Sequence, residues 1–278
     1  MTKKKAKFQI VIDPQCEQKE YVKDLFYYRE LFYFLAWRDI VVRYKQTFLG
    51  VFWAVIRPLL TMGVFALVFG KIAHLATDQV NYPLFVLSGL LPWMLFAGSL
   101  IDTSQSLVNN THMISKVYFP RIILPISDIM VHGVDFLISL VLLLFLLLFN
   151  GDLNHWSLLG LPFFIALTLL LCVGSGLWLS AASARYRDFR FIVPFLVQFG
   201  VFLSPVGYSS FLLSERAQWV YFLNPMVGII EGFRWCCFGT YHSNLIFAVT
   251  ISCVINMVIF MTGFRFFRRI ERFCADVI

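Results

Sequence analysis

The sequence predicts an all-α, polytopic membrane protein. It has six transmembrane helices, an N-terminal amphipathic helix in the membrane interface, and re-entrant helices between spans five and six. Three observations predict it. Of the 278 residues, 59% are hydrophobic and 14% charged, where a soluble domain carries about 25% charged residues. The mean hydropathy is +0.77, so one globular core cannot hide the apolar surface and lipid must serve as part of the solvent. Lysines and arginines cluster between the apolar runs, as they do beside anionic membrane surfaces, so the net charge of +7 does not indicate a nucleic-acid partner.

The start, MTKKKAKFQIVIDPQ, is basic and polar. It lacks the apolar region and small-residue cleavage site of a signal peptide, so none is expected. Within residues 23–45, Lys23, Glu30, Arg38 and Lys45 recur at steps of seven or eight and share one helical side. Leu25, Tyr28, Phe32 and Leu35 fall opposite, which with the many aromatics reads as a helix in the cytoplasmic interface. Phe34 on the polar side and Arg43 on the apolar side blur the pattern.

Six runs are long enough for a hydrocarbon core of about 30 Å, near 49–70, 84–107, 123–149, 157–184, 191–207 and 245–267. The fifth is short, holds Pro194 and Pro205, and is expected to be bent or shallow. With six spans, nineteen Lys and Arg residues fall on one side and only Lys71, Arg216 and Arg234 on the other. That asymmetry puts both termini in the cytoplasm. The organisation is therefore a tail and interfacial helix at 1–48, a six-span domain at 49–267, and a tail at 268–278.

Residues 208–243 are apolar enough to enter the membrane, yet they contain Asn224-Pro225, Glu231 and Arg234. A lipid-exposed span with those groups is costly. Asn224-Pro225 favours a turn before a new helix, so two short outer helices are expected with the break there. Glu231 and Arg234, three apart, can pair on one face.

Chemistry-bearing motifs are scarce. There is no GxxxxGK[ST], HExxH or GxSxG, so nothing in the chain is built to hydrolyse ATP. The cysteines at 16, 172, 236, 237, 253 and 274 show no CxxC spacing and read as structural. Asp128, His132 and Asp135 share one face of the third span. They form either a proton relay or interface residues with Asp135 hydrogen-bonded to a neighbouring helix. Gly176, Ser180 and Ala184, like Ala66 and Gly70, are spaced for close helix packing within or between subunits. Arg57-Pro58 places a cation within the first span and frees a carbonyl one turn earlier. The arginine either grips a phosphate from a wet channel or snorkels to the cytoplasm.

Taken in order, RYKQTFLGVFWAVIRPLLTMGVFALVFG (43–70), SKVYFPRIILP (115–125), ARYRDFR (184–190), FLSPVGY (202–208) and YFLNPMVGIIEGFR (221–234) carry a family resemblance over roughly 25–270. The chain resembles the ABC-2 type permeases that export lipid-linked polysaccharides, a group spanning O-antigen, capsule and teichoic acid exporters. The resemblance implies a homodimer in the bacterial inner membrane. It also implies no enzyme activity or cofactor in this chain, with ATP and Mg bound by a separate nucleotide-binding subunit. Lys116, Val117, Tyr118, Phe119, Pro120 and Arg121, in the inside loop 108–122, would correspond to the helix that docks in that ATPase. The substrate would be a glycan on undecaprenyl diphosphate, with O-antigen the first choice. Arg38, Arg43, Lys45 and Arg57 would meet the diphosphate. Phe52, Trp53, Trp93 and Phe199 would line the channel, and Asn224, Pro225, Glu231 and Arg234 would belong to the outer gate. Arg57 departs from the neutral polar residue expected before the proline. A drug or small-lipid exporter of the same fold, a proton-coupled transporter and a membrane enzyme are the rival readings.

Overall fold

The computed structural model describes residues 25–45, 50–72, 80–150, 156–240, 242 and 244–271. The N-terminal lysines through Lys23, Cys16, Arg272 and Cys274 lie outside the described residues. Among the described residues the fold is all-helical. Helix α1 is Arg29–Lys45, and α2, Gly50–Phe65, continues as a π-helical stretch Ala66–Ile72. Then come α3 (Tyr82–Asn109), α4 (Ile123–Asn150), α5 (Leu161–Arg185), α6 (Phe189–Gly200), α7 (Glu215–Tyr221), α8 (Pro225–Phe238) and α9 (Leu245–Glu271).

Five of these stretches are long and apolar enough to cross a membrane: Gly50–Ile72, Tyr82–Asn109, Ile123–Asn150, Ser157–Arg185 and Leu245–Glu271. The predicted fifth span, 191–207, falls short. Its helix α6 has 12 residues, roughly 18 Å at 1.5 Å per residue, and the chain then runs through turns and bends over residues 201–208. Apolar composition continues across this boundary, but Pro205 cannot extend the helical hydrogen bonding.

Local chemistry explains the element ends. Glu30 in the first turn of α1 and Arg43 and Lys45 in its last oppose the helix dipole favourably. Pro58 deprives the Ala54 carbonyl of its helical donor, and the Ser139 hydroxyl of α4 supplies one at 3.1 Å. Helix α8 starts at the predicted break: Asn224 accepts from the Met226 amide at 3.0 Å, and Pro225 occupies the first turn. It stops at Gly239, whose φ of 70° favours a residue without a side chain.

Helix α3 is the central post, packed by α4 and α5 on its sides. Gly176 allows α5 to approach α3, since a Cβ there would lie 2.8 Å from the Thr103 hydroxyl. Ser180 adds a 2.9 Å bond to Ser106. This small-residue stripe therefore joins two helices of one chain. At one end of the bundle, Leu35 of α1, Leu107 of α3, Phe119, Leu177 of α5 and Phe267 of α9 form a core. At the other end, α8 packs against α3, α5 and the start of α9.

Candidate functional site

Between α1, α2, α3, α4 and α6 lies a cavity of about 820 Å³, lined among others by Arg43, Trp53, Arg57, Trp93, His132 and Asp135. Its polar corner is assembled from helices distant in sequence. The Arg43 guanidinium pairs with Asp135 at 2.9 Å, and the Tyr44 hydroxyl donates to the same carboxylate. Burial, reinforced by that hydrogen bond, pushes the Tyr44 phenol well above its usual range. Together these contacts pin the end of α1 to the middle of α4.

Arg57 differs in kind. It is exposed on the cavity wall and pairs with no carboxylate among the described residues. Thr61, Trp53 and Phe65 of the same helical stretch line the cavity with it. The cavity thus offers one committed and one uncommitted guanidinium, the group that binds phosphate oxygens in bidentate fashion.

The three ionisable residues of α4 take different surroundings. Asp135 serves α1, while His132 bonds Asp102 of α3 at 2.6 Å. Asp128 lines a separate recess of about 460 Å³ with Asp39, Asp102 and Asn109. The neighbouring-helix role expected for Asp135 is the one observed.

The other predicted residues divide plainly. Trp53 and Trp93 line the cavity, whereas Phe52 and Phe199 are half exposed and outside its lining. Arg38 pairs with its neighbour Asp39 at 2.8 Å, and Lys45 is exposed. In the loop, Lys116, Val117 and Tyr118 are exposed while Phe119 and Pro120 are buried. Arg121 reaches across to Glu271 at the end of α9. Its amide donates to Glu271 Oε1 at 2.9 Å and its Nη1 to the Glu271 carbonyl at 2.9 Å. At the opposite end Glu231 and Arg234 pair at 3.4 Å, both buried. Glu231 also accepts from the amide and hydroxyl of Ser210. Arg234 donates to the carbonyls of Val206 and Tyr208 and stacks 3.6 Å over the Phe85 ring.

The ABC-2 type transporter family matches residues 30–238, from α1 through α8. The chain belongs to this family. It is 28% identical over 243 residues to the O-antigen export system permease protein RfbA of Klebsiella pneumoniae, covering 85% of this chain and 93% of that one. The corresponding protein of Myxococcus xanthus is 30% identical over 215 residues, 77% and 82% of the two chains. The polysialic acid transport protein KpsM of Escherichia coli is 23% identical over 246 residues, 84% and 91%. With five apolar helices of spanning length, this ABC-2 chain is a multi-pass membrane protein.

In this ABC-2 chain, two of the partners that sequence reasoning missed show why. Asp135 as the counter-ion of Arg43 leaves no local trace, because the residues stand far apart in the chain. Glu271 did leave one: it is the only acid in the basic stretch RFFRRIERF.

Proposed function

We propose that the chain is the membrane permease of an exporter that moves a polysaccharide on undecaprenyl diphosphate, O-antigen first, outward across a bacterial inner membrane. The observation that carries this reading is the match to O-antigen export permeases over most of the chain. ABC-2 permeases of this kind work with an ATPase subunit, so ATP and Mg belong to that partner and this chain has no catalytic residue of its own. A second copy would complete the path, since α2 is almost wholly uncovered within one chain. Helix α6 with the turns after it would make the sixth crossing. That crossing returns both termini to the cytoplasm, as the distribution of basic residues requires. Residues 208–243 would then lie outside as the gate.

The chemistry favours the cavity as the diphosphate site. Arg57 is already uncommitted, and Arg43 is held by a part-exposed pair, a type of contact worth about 0–1 kcal/mol. A diphosphate making bidentate, charge-assisted bonds can displace Asp135 from it. Exposed Arg38 and Lys45 would add diffuse attraction. Sugar rings would pass Trp53 and Trp93, which offer flat apolar faces without demanding one sugar sequence. Lys116, Val117 and Tyr118 would face the ATPase, while Phe119 and Pro120 seat the loop.

The test is deletion and complementation. Loss of surface glycan on deletion, restored by the wild-type chain and not by Arg57→Ala with Arg43→Ala, is the expected result. Unchanged glycan, with altered resistance to small amphiphiles, would instead indicate a drug or small-lipid exporter. Transport by the purified chain without an ATPase would establish the proton-coupled alternative. The KpsM match keeps polysialic acid as the second substrate reading; the glycan that disappears on deletion decides between them.

A further inference from the structure

We propose that Glu271 is the positioning residue that fastens the ATPase-facing loop to α9, and that α9 carries the loop's displacement to α8 at the far end of the bundle. This inference rests on the reading of residues 116–121 as the docking segment.

The loop has two attachments to one helix end. Phe119 is 4% exposed and belongs to the core formed with Phe267 and Ile270. Beside that apolar seat, Arg121 is held twice by Glu271, through side-chain Oε1 and through the backbone carbonyl. The second carboxylate oxygen of Glu271 is held by Arg268 at 3.0 Å, with the two side chains only 17% and 11% exposed. A carboxylate fixed at both oxygens in a semi-buried site holds its geometry better than a surface pair. The loop and the end of α9 therefore move as one body.

Helix α9 has 27 residues and so extends about 40 Å, enough to span the bundle. Near its start it is joined to α8: the Gly228 amide donates to Ser252 Oγ at 3.2 Å. A Cβ on Gly228 would lie 2.6 Å from the Ala248 carbonyl oxygen, so the two backbones touch. Between these joints α9 crosses α5 at Gly263 and Gly174, where a Cβ on Gly174 would lie 2.7 Å from the Phe260 backbone. Close crossing of two backbones makes a fixed pivot, because no side chain can yield there. A rod held at both ends and pinned near its middle turns a tilt at the loop into a tilt of α8. Helix α8 begins at the Asn224-Pro225 break, so the break absorbs the angular change.

The experiment uses the permease–ATPase complex in proteoliposomes with a labelled lipid-linked glycan, reading glycan moved per ATP hydrolysed. Glu271→Ala is expected to keep co-purifying with the ATPase while this ratio falls about tenfold, the scale of one charge-assisted hydrogen bond. Glu271→Gln keeps an acceptor for the Arg121 amide and should retain most of the ratio. An equal fall in both variants overturns the assignment of Oε1 as the tie. A normal ratio in Glu271→Ala beside a collapsed one in Tyr118→Ala overturns the inference and leaves the docking loop standing. Normal ratios in both overturn the docking reading itself.

Discussion

Two of the arginine–carboxylate pairs, Arg234–Glu231 near α8 and Arg43–Asp135 at the end of α1, differ in how much water they keep. Arg234 and Glu231 are 3% and 4% exposed, with their hydrogen bonds spent on the segment 206–210. Arg43 and Asp135 keep 32% and 25% of their side-chain exposure beside an open cavity. Burial decides what each pair can do. A charge without water must keep its partner, because losing it strands the other ion in a low dielectric. A charge that still meets water can exchange its partner at little cost. The first pair is therefore a fixed joint between α8 and the segment 206–210, and the second is a contact that can open and re-form at little cost.

Removing one member of the buried pair should show the largest effect. Arg234→Ala is expected to destabilise the folded chain by about 3–5 kcal/mol, because Glu231 would remain buried and uncompensated. Arg234→Lys should fail to rescue it, since one ammonium cannot reach the Val206 and Tyr208 carbonyls while stacking on Phe85. Thermal unfolding in detergent measures this. A melting curve like that of the wild type would mean the pair is not structural.

The loop tests the same contrast within six residues. Phe119→Ala should cost roughly 3–5 kcal/mol by emptying a filled core position, lowering the amount of protein in the membrane. Tyr118→Ala, at a position 52% exposed, should leave that amount unchanged and reduce the export driven by each ATP. Changing both residues together would confound the two effects. Near-equal expression of the two single variants would argue that Phe119 is not a seat.

Asp135→Asn comes next. Tyr44 and Arg43 use different oxygens of Asp135 and an asparagine offers only one, so one of the two contacts is lost and stability should fall by about 1 kcal/mol. Export should drop a few-fold as the end of α1 loosens, and the loss should be independent of a proton gradient. Abolition of export by collapsing the gradient in wild type and variant alike would instead favour a proton-coupled transporter.

What the sequence made legible was local. The long apolar runs, the Asn224-Pro225 break, the i,i+3 spacing of Glu231 and Arg234, and the apolar side of residues 25–35 all show in short windows. The carbonyl freed by Pro58 was also readable, though not its rescuer Ser139. Two kinds of feature escaped. Pairings such as Tyr44 with Asp135 and Arg121 with Glu271 join residues 91 and 150 positions apart on different elements, where no periodicity reports on contact. The other was the boundary of α6, where hydropathy stays high past Gly200 while the backbone leaves the helix. Burial likewise separates Phe119 from Tyr118, two adjacent aromatics that composition cannot tell apart.

The smallest expected effect is also the most diagnostic for the site. Among the described residues Arg38 forms its ion pair with the adjacent Asp39, and its side chain is 43% exposed. Arg38→Gln should change stability by no more than about 0.5 kcal/mol. If the diphosphate is gripped in the cavity by Arg43 and Arg57, the same substitution should leave export within about twofold at physiological salt, because exposed charges beyond a Debye length of about 8 Å are screened. Arg57→Gln should meanwhile reduce export strongly. A severe export defect in Arg38→Gln, with Arg57→Gln near normal, would move the anion site out of the cavity and onto the surface of α1. The part-exposed Arg43–Asp135 pair would then be a structural joint like its buried counterpart, and the contrast between the two pairs would lose its functional meaning.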